Sequence, residues 1–445
     1  MAAAVIEVAD LQGGIVRGYG SRFRVARHLF ARVRDPGAAR ALLAGLADPV
    51  TTEEEWDSDR PSTTLNVALS FRALTALEIP DTMLDRFPDE FRCGMEHRAG
   101  RLGDHAPSWD DELRDVEVLL VVHAQSAAAL DEEAGRLQRA LGEDGGLELA
   151  HVQDAGLLGD QREHFGFTDG FSQPAIEGVA RAQIRGQGVY EKPWYRRQGH
   201  WRAIKPGEFV LGYEDEDRGL APAPPPPFDR NATFMVWRKL EQDVAGFRAQ
   251  LADRAGQLDV DEELVAAKIV GRWRDGSPLA LRPEAPDRAL GYDRRRANDF
   301  RYGGDPLGLK CPRGAHIRRT NPRDALKWES RLSSRHRILR RGMPYGPELP
   351  HGAQEDGEQR GLLFVCMQAS IARQFEIVQS QWCNDGNAFR LGREPDAIAG
   401  PRESTFLIGG EPPRLVSPLQ SCVHCRGGEY LFVPGIAALR ALPSL

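Results

Sequence analysis

Residues 116–154 read VEVLLVVHAQSAAALDEEAGRLQRALGEDGGLELAHVQD. The apolar run at 116–123 has the length of a buried strand, and AAALDEEAGRLQRAL carries the spacing of an amphipathic helix. After the EDGG turn, LELAHVQD reads as another strand. Upstream, ARHLFARVRD (26–35) alternates apolar residues at period two, and PGAARALLAGLADPV shows helical spacing opened by a proline. TLNVALSF (64–71) is a third strand candidate, followed by a helical ALTALEI that stops at Pro80. The order is strand-helix-strand twice over, which predicts an α+β sheet of ferredoxin-like type.

The second half repeats this outline. ATFMVWRKL (232–240) is a strand, QDVAGFRAQLADRA and DEELVAAKIVGRW are helices, and GLLFVCMQAS (361–370) is strongly strand-like. IARQFEIVQSQWC (371–383) has helical spacing, and GGEYLFVPGIAAL closes the chain with a strand and a short helix. Between about 155 and 230 the periodicity fades into glycines, prolines and aromatics, and the run APAPPPPFDR reads as a stiff spacer at the junction. A chain of 445 residues exceeds one ordinary core. We therefore expect two ferredoxin-like domains, 1–215 and 216–445.

Hydrophobic residues make up 41% and charged residues 28%, enough for two cores, and the net charge of −7 argues against nucleic acid or an anionic membrane as partner. No apolar run approaches the ~18 residues of a membrane span, and MAAAVIEVADLQGG carries no basic n-region, so a cytoplasmic protein is expected. Cysteines at 93, 311, 366, 383, 422 and 425 do not form a disulfide framework, and Cys422-Val423-His424-Cys425 has no second pair to complete a zinc site.

Residues 305–347, DPLGLKCPRGAHIRRTNPRDALKWESRLSSRHRILRRGMPYGP, carry the candidate chemistry. One histidine, His316, lies among turn formers, and Arg331, Arg335, Arg337, Arg340 and Arg341 follow it. Such a run is equally the pattern of an exposed basic face. Ile338 and Leu339 within it, and the acidic balance of the chain, favour at least one inward arginine, which needs an anionic partner. A second candidate is Gly166-Phe167-Thr168-Asp169-Gly170, where two glycines let the backbone approach a flat ligand and hold one carboxylate beside it.

At GFTDG, AHIRRTNPR and RILRRGMPYG together, the chain resembles the dye-decolorizing peroxidases, whose hallmark is a Gly-x-x-Asp-Gly motif. DLQGGIVRGYG, FMVWRKLEQDV, VGRWRDGSPL, NDFRYGGDPLGLKCPRGAHIRRTNP, GLLFVCMQASIARQFEIVQSQWCND and RGGEYLFVP extend the likeness in order over nearly the whole chain. The resemblance implies the longer subgroup of the family, two ferredoxin-like domains, and haem b held mainly by the second. By resemblance, His316 is the proximal iron ligand, Asp169 the distal acid-base and Arg340 the distal arginine, with Arg337 and Arg341 as competing assignments. Gly166, Phe167, Thr168, Gly170 and Arg318 would contact the cofactor. Leu362 and Phe364, which share a strand face, would wall the distal pocket, and Asp385 would accept from the other His316 ring nitrogen. The implied activity is reduction of hydrogen peroxide through a ferryl-radical intermediate at the expense of bulky aromatic donors such as dyes and phenolics. Electrons would pass through surface aromatics, with Trp194, Tyr195, Trp201, Trp237 and Trp328 as candidates. A haem-handling or iron-releasing protein is the alternative. A homo-oligomer is compatible with either.

Overall fold

The computed structural model describes the chain except residues 1–4, 57–59, 143–144, 160, 180–183, 193–198, 327–329, 402 and 411. Nine strands build its main antiparallel sheet. Four come from the first half: β1 (Val25–Val33), β2 (Thr63–Ser70), β3 (Val118–Ala124) and β4 (Leu147–Gly156). Five come from the second: β5 (Thr233–Gln242), β6 (Leu339–Arg340), β7 (Met343–Tyr345), β8 (Gly361–Gln368) and β9 (Val423–Val433). Their order is β4-β1-β3-β2-β9-β5-β8-β6, with β7 also on β8. The first half runs fourth-first-third-second, and the second half does the same once β6 and β7, which both pair with β8, are counted as one interrupted strand, so the ferredoxin-like arrangement occurs twice. The halves join where Ser70 and Leu69 of β2 pair with Leu431 and Phe432 of β9.

The sheet is apolar on both faces, which is why its strands read as near-continuous hydrophobic runs. Val118, Leu120 and Val122 of β3 face one core with Leu130, Leu137 and Leu141 of the helix Ala127–Gly142 (α2) and Ala39 and Leu43 of Pro36–Gly45 (α1). Leu119 and Val121 face the other, beneath Leu11, Ile15, Phe209 and Tyr213 from the long connections. Helix α1 starts as its sequence dictates: the Asp35 carboxylate accepts from the Ala38 amide, and Pro36 stands at a position with no amide to satisfy.

The helix-bearing face changes character in the second half. Phe234 and Val236 of β5 point into the same core as α1 and α2. Further along the same face, Arg238, Leu240 and Gln242 line a cavity instead, beside Leu362 and Phe364 of β8 and Val423 and Cys425 of β9. The helices Val244–Leu258 (α3) and Glu262–Val270 (α4) pack on each other beside this space. Residues Ala372–Glu376 and Val378–Cys383 form wide π-type turns, and Phe375, Val378, Gln379 and Cys383 face the cavity. Such widened helices recur at functional sites. No helix among the described residues is long and apolar enough to cross a membrane.

Candidate active site

The cavity measures about 520 Å³, within the range of small-molecule and cofactor sites. His316 opens a short helix, His316–Thr320, and borders the cavity. Its Nδ1 lies 3.0 and 3.1 Å from the two carboxylate oxygens of Asp396, which is buried and also accepts from the amides of Ile398 and Ala399. Burial alone would push the Asp396 carboxyl up; the His316 imidazole and these amides outweigh it and hold it below the usual range. Nε2 is the ring nitrogen left for the cavity. Asp385, expected in this position, is exposed, and its carboxylate accepts from the Asn387 amide in its own turn. Asp396 is the carboxylate beside His316.

Arg318 also departs from expectation. It is buried away from the cavity, donating to the Asp305 carboxylate at 3.0 Å, to the Asp305 carbonyl at 2.7 Å and to the Cys311 carbonyl at 2.7 Å. With Asp305 also accepting from the amides of Leu309 and Cys311, Arg318 fixes the loop that delivers His316.

Arg340 and Asp169 line the same cavity, and Arg340 Nη1 donates to Asp169 Oδ1 at 3.2 Å. The Asp169 loop is anchored by its aromatics: Phe165 stacks on Phe247 of α3 at 4.2 Å between ring centroids, and Phe167 joins the same core. Glu163 accepts from the amides of Phe165 and Phe167, and Thr168 Oγ1 donates to the Arg274 carbonyl. Gly166 has φ +91°, a backbone conformation that favours glycine, and a Cβ there would lie 3.1 Å from the Arg274 side chain. Phe167, Thr168 and Asp169 line the cavity, whereas Gly166 and Gly170 shape the loop without lining it. The loop precedes residue 215 in sequence yet packs on helices of the second half.

Leu362 and Phe364 line the cavity from neighbouring positions of one sheet face. Of the competing arginines, Arg341 points elsewhere, donating to the carbonyls of Gly14, Ile15 and Arg340. Arg337 lines the cavity with Arg340, Arg323 and Arg272. Arg323 and Arg272 spend their donors on backbone carbonyls and Asn298. No hydrogen bond or ion pair engages the Arg337 guanidinium among the described residues. Burial, with Arg323 and Arg340 nearby, pushes it down to about 9. Trp237 is a core residue donating to His28, and Trp201 donates to Asp299 on the surface. Trp194, Tyr195 and Trp328 lie outside the described residues.

Residues 10–147 match the DyP dimeric alpha+beta barrel domain, and residues 269–400 the C-terminal domain of Dyp-type peroxidases. The chain is 30% identical to a dye-decolorizing peroxidase of Mycena epipterygia, over 98% of this chain and 87% of the relative. The chain belongs to the dye-decolorizing peroxidase family. It is 34% identical to a multifunctional dye peroxidase of Amycolatopsis over 68% of this chain and 64% of that one. The crystal structure of the fungal DyP-type peroxidase of Auricularia auricula-judae superposes with a TM-score of 0.86 at 26% identity, covering 100% of each chain. An ancestral D-type dye-decolorizing peroxidase gives 0.85 at 28%, over 98% of this chain and 99% of the other. As a dye-decolorizing peroxidase the protein is a haem enzyme, and the residues present fit that group. An apolar wall of Leu362, Phe364, Phe375, Val270 and Ile317 suits a flat macrocycle, one imidazole with its other nitrogen on a carboxylate suits an iron ligand, and an unpaired buried guanidinium suits an anionic side arm.

Proposed function

We propose that His316 holds the haem iron, that Asp169 and Arg340 act on hydrogen peroxide at the opposite wall, and that aromatic compounds supply the electrons. The observation that carries this reading is the Asp169–Arg340 pair, one carboxylate and one guanidinium 3.2 Å apart on the same cavity that His316 borders. Binding alone requires no such pair.

Haem supplies the redox centre that takes up the oxidising equivalents of peroxide. The chain's own part is proton handling and charge. Asp169 takes a proton from hydrogen peroxide and returns it to the departing oxygen, which leaves as water. Arg340 faces the negative charge that builds as the O–O bond breaks. Asp396 keeps the proton on His316 Nδ1, so that Nε2 is the nitrogen free to bind. Arg337 would hold an anionic side arm of the cofactor. The aromatic donor class is supported by a relative, a dye-decolorizing peroxidase whose structure was solved with 2,6-dimethoxyphenol. Likeness to the deferrochelatase of Yersinia pestis is confined to 114 residues, 25% of this chain, and does not favour the haem-handling alternative.

A positioned proton shuttle is worth about 10²–10⁴-fold, or roughly 3–5 kcal/mol of barrier. Asp169→Asn keeps the size of the side chain and removes its basicity. Steady-state turnover of peroxide with a phenolic donor should fall at least about a hundredfold while the haem absorption band is retained. Turnover within about threefold of the parent would remove Asp169 from the reaction.

A further inference from the structure

Gln173 lies four residues after Asp169, and its side chain does not reach the cavity. It makes a reciprocal pair with a backbone instead. The Arg340 amide donates to Gln173 Oε1 at 3.1 Å, and Gln173 Nε2 donates to the Arg340 carbonyl at 3.1 Å. Arg340 sits on β6, the last strand on that edge of the sheet, opposite Cys366 of β8. Its neighbour Arg341 turns its own amide inward, to the Val365 carbonyl at 2.7 Å. In an antiparallel ladder successive residues point their backbone groups to opposite sides, so both groups of Arg340 face away from β8, where a further strand would otherwise bind. One primary amide has one acceptor and two donors in the right arrangement to replace that strand. Gln173 is itself held, its amide donating to Gln187 Oε1 at 2.9 Å.

We infer that Gln173 is the positioning residue of the distal pair: it ties the Asp169 loop to the Arg340 backbone and so sets the distance between the carboxylate and the guanidinium. The inference rests on the assignment of Asp169 and Arg340 proposed above. The two groups come from segments 171 residues apart in sequence, and their side chains are each more than a third exposed. Their 3.2 Å contact is too exposed to hold the geometry by itself. The backbone pair supplies the rigid link. Misplacing a catalytic group by about 1 Å costs up to a hundredfold in rate.

The test compares holoenzyme carrying Gln173→Ala and Gln173→Glu with the parent. In Gln173→Ala, kcat/KM for hydrogen peroxide should fall about ten- to a hundredfold, with KM for a phenolic donor and haem content unchanged. Hydrogen exchange of the haem-free protein should show residues 338–342 losing protection. In Gln173→Glu, the protonated carboxyl can both accept from the Arg340 amide and donate to its carbonyl, whereas the carboxylate can only accept. Its peroxide rate, relative to the parent at each pH, should therefore recover as pH falls through the new carboxyl's titration. This variant also carries the test if the alanine fails to fold. A peroxide rate within about twofold of the parent in both variants, or a loss in Gln173→Glu that does not change with pH, would overturn the inference. If Asp169→Asn and Arg340→Leu are themselves without effect, the assignment of the pair fails instead, and the exchange data still report whether Gln173 holds the strand.

Discussion

Among the described residues Arg337 has no anionic partner, although four other guanidiniums border the same cavity. Its depressed value means that the charged form is disfavoured in the fold below pH of about 9, where the free side chain is fully charged, and this cost is relieved only above that pH. Arg337→Leu should therefore stabilise the haem-free protein at pH 7, by on the order of 1–4 kcal/mol in chemical denaturation, and weaken retention of haem. Equal loss of stability with and without haem would contradict this assignment. Residues that line the cavity were legible in the sequence where they lay inside compact motifs, as for His316, Asp169 and Arg340. Asp396 was not legible, because it lies 80 residues from His316 and only the folding of the 384–400 segment brings it there. Arg318 misled for a related reason: adjacency to His316 in sequence puts its side chain on a different side of the short helix, against Asp305 rather than the cavity.

Strands and helices with a strong period were legible as elements. β3 and α2 were, since burial on both sheet faces makes β3 apolar throughout and burial on one side gives α2 its helical stripe. The wide turns at 372–383 were not, because apolar spacing near helical period does not distinguish i→i+5 from i→i+4 bonding. The hairpin of Glu403–Ile408 with Arg414–Gln420 was also missed, its strands being short and largely solvent-facing. Between elements, Glu429 of β9 accepts from the amide of Met95, the first residue of helix Met95–Leu102, and from the amide of Tyr430. Burial pushes its carboxyl up to about 7, against partial relief from these two amides. A carboxyl raised in the fold binds its proton more tightly there than in the unfolded chain. Its contribution is present below the unfolded value and is lost as pH rises to about 7. Glu429→Gln keeps an oxygen for both amides and removes the ionisation. The variant should match the parent near pH 4 and exceed it by on the order of 3 kcal/mol at pH 8 in urea denaturation. Parallel stability curves across that range would show that Glu429 does not ionise at this cost.

At the scale of the molecule, one sheet serves two purposes. Its first half is closed by α1 and α2 into a solid core, and the same face of its second half is left open as the cavity. Two ferredoxin-like units could be read from the repeated order of strands and helices. Their fusion through β2 and β9 could not, because it is made by two residue pairs near the strand ends. The proposed division at 215/216 leaves the Asp169 loop in the first domain while its aromatics sit in the core of the second, so both parts of the chain are needed to complete the site. A peroxidase site with His316 as its ligand has a spectroscopic signature. Its most direct measurement is the absorption spectrum of the parent and of His316→Ala, each reconstituted with haem, before and after one equivalent of hydrogen peroxide. The parent should show a Soret band that shifts on peroxide and returns when a phenolic donor is added, with the shift lost in His316→Ala. A parent Soret band inert to peroxide, or a His316→Ala spectrum and response identical to the parent, would contradict this reading.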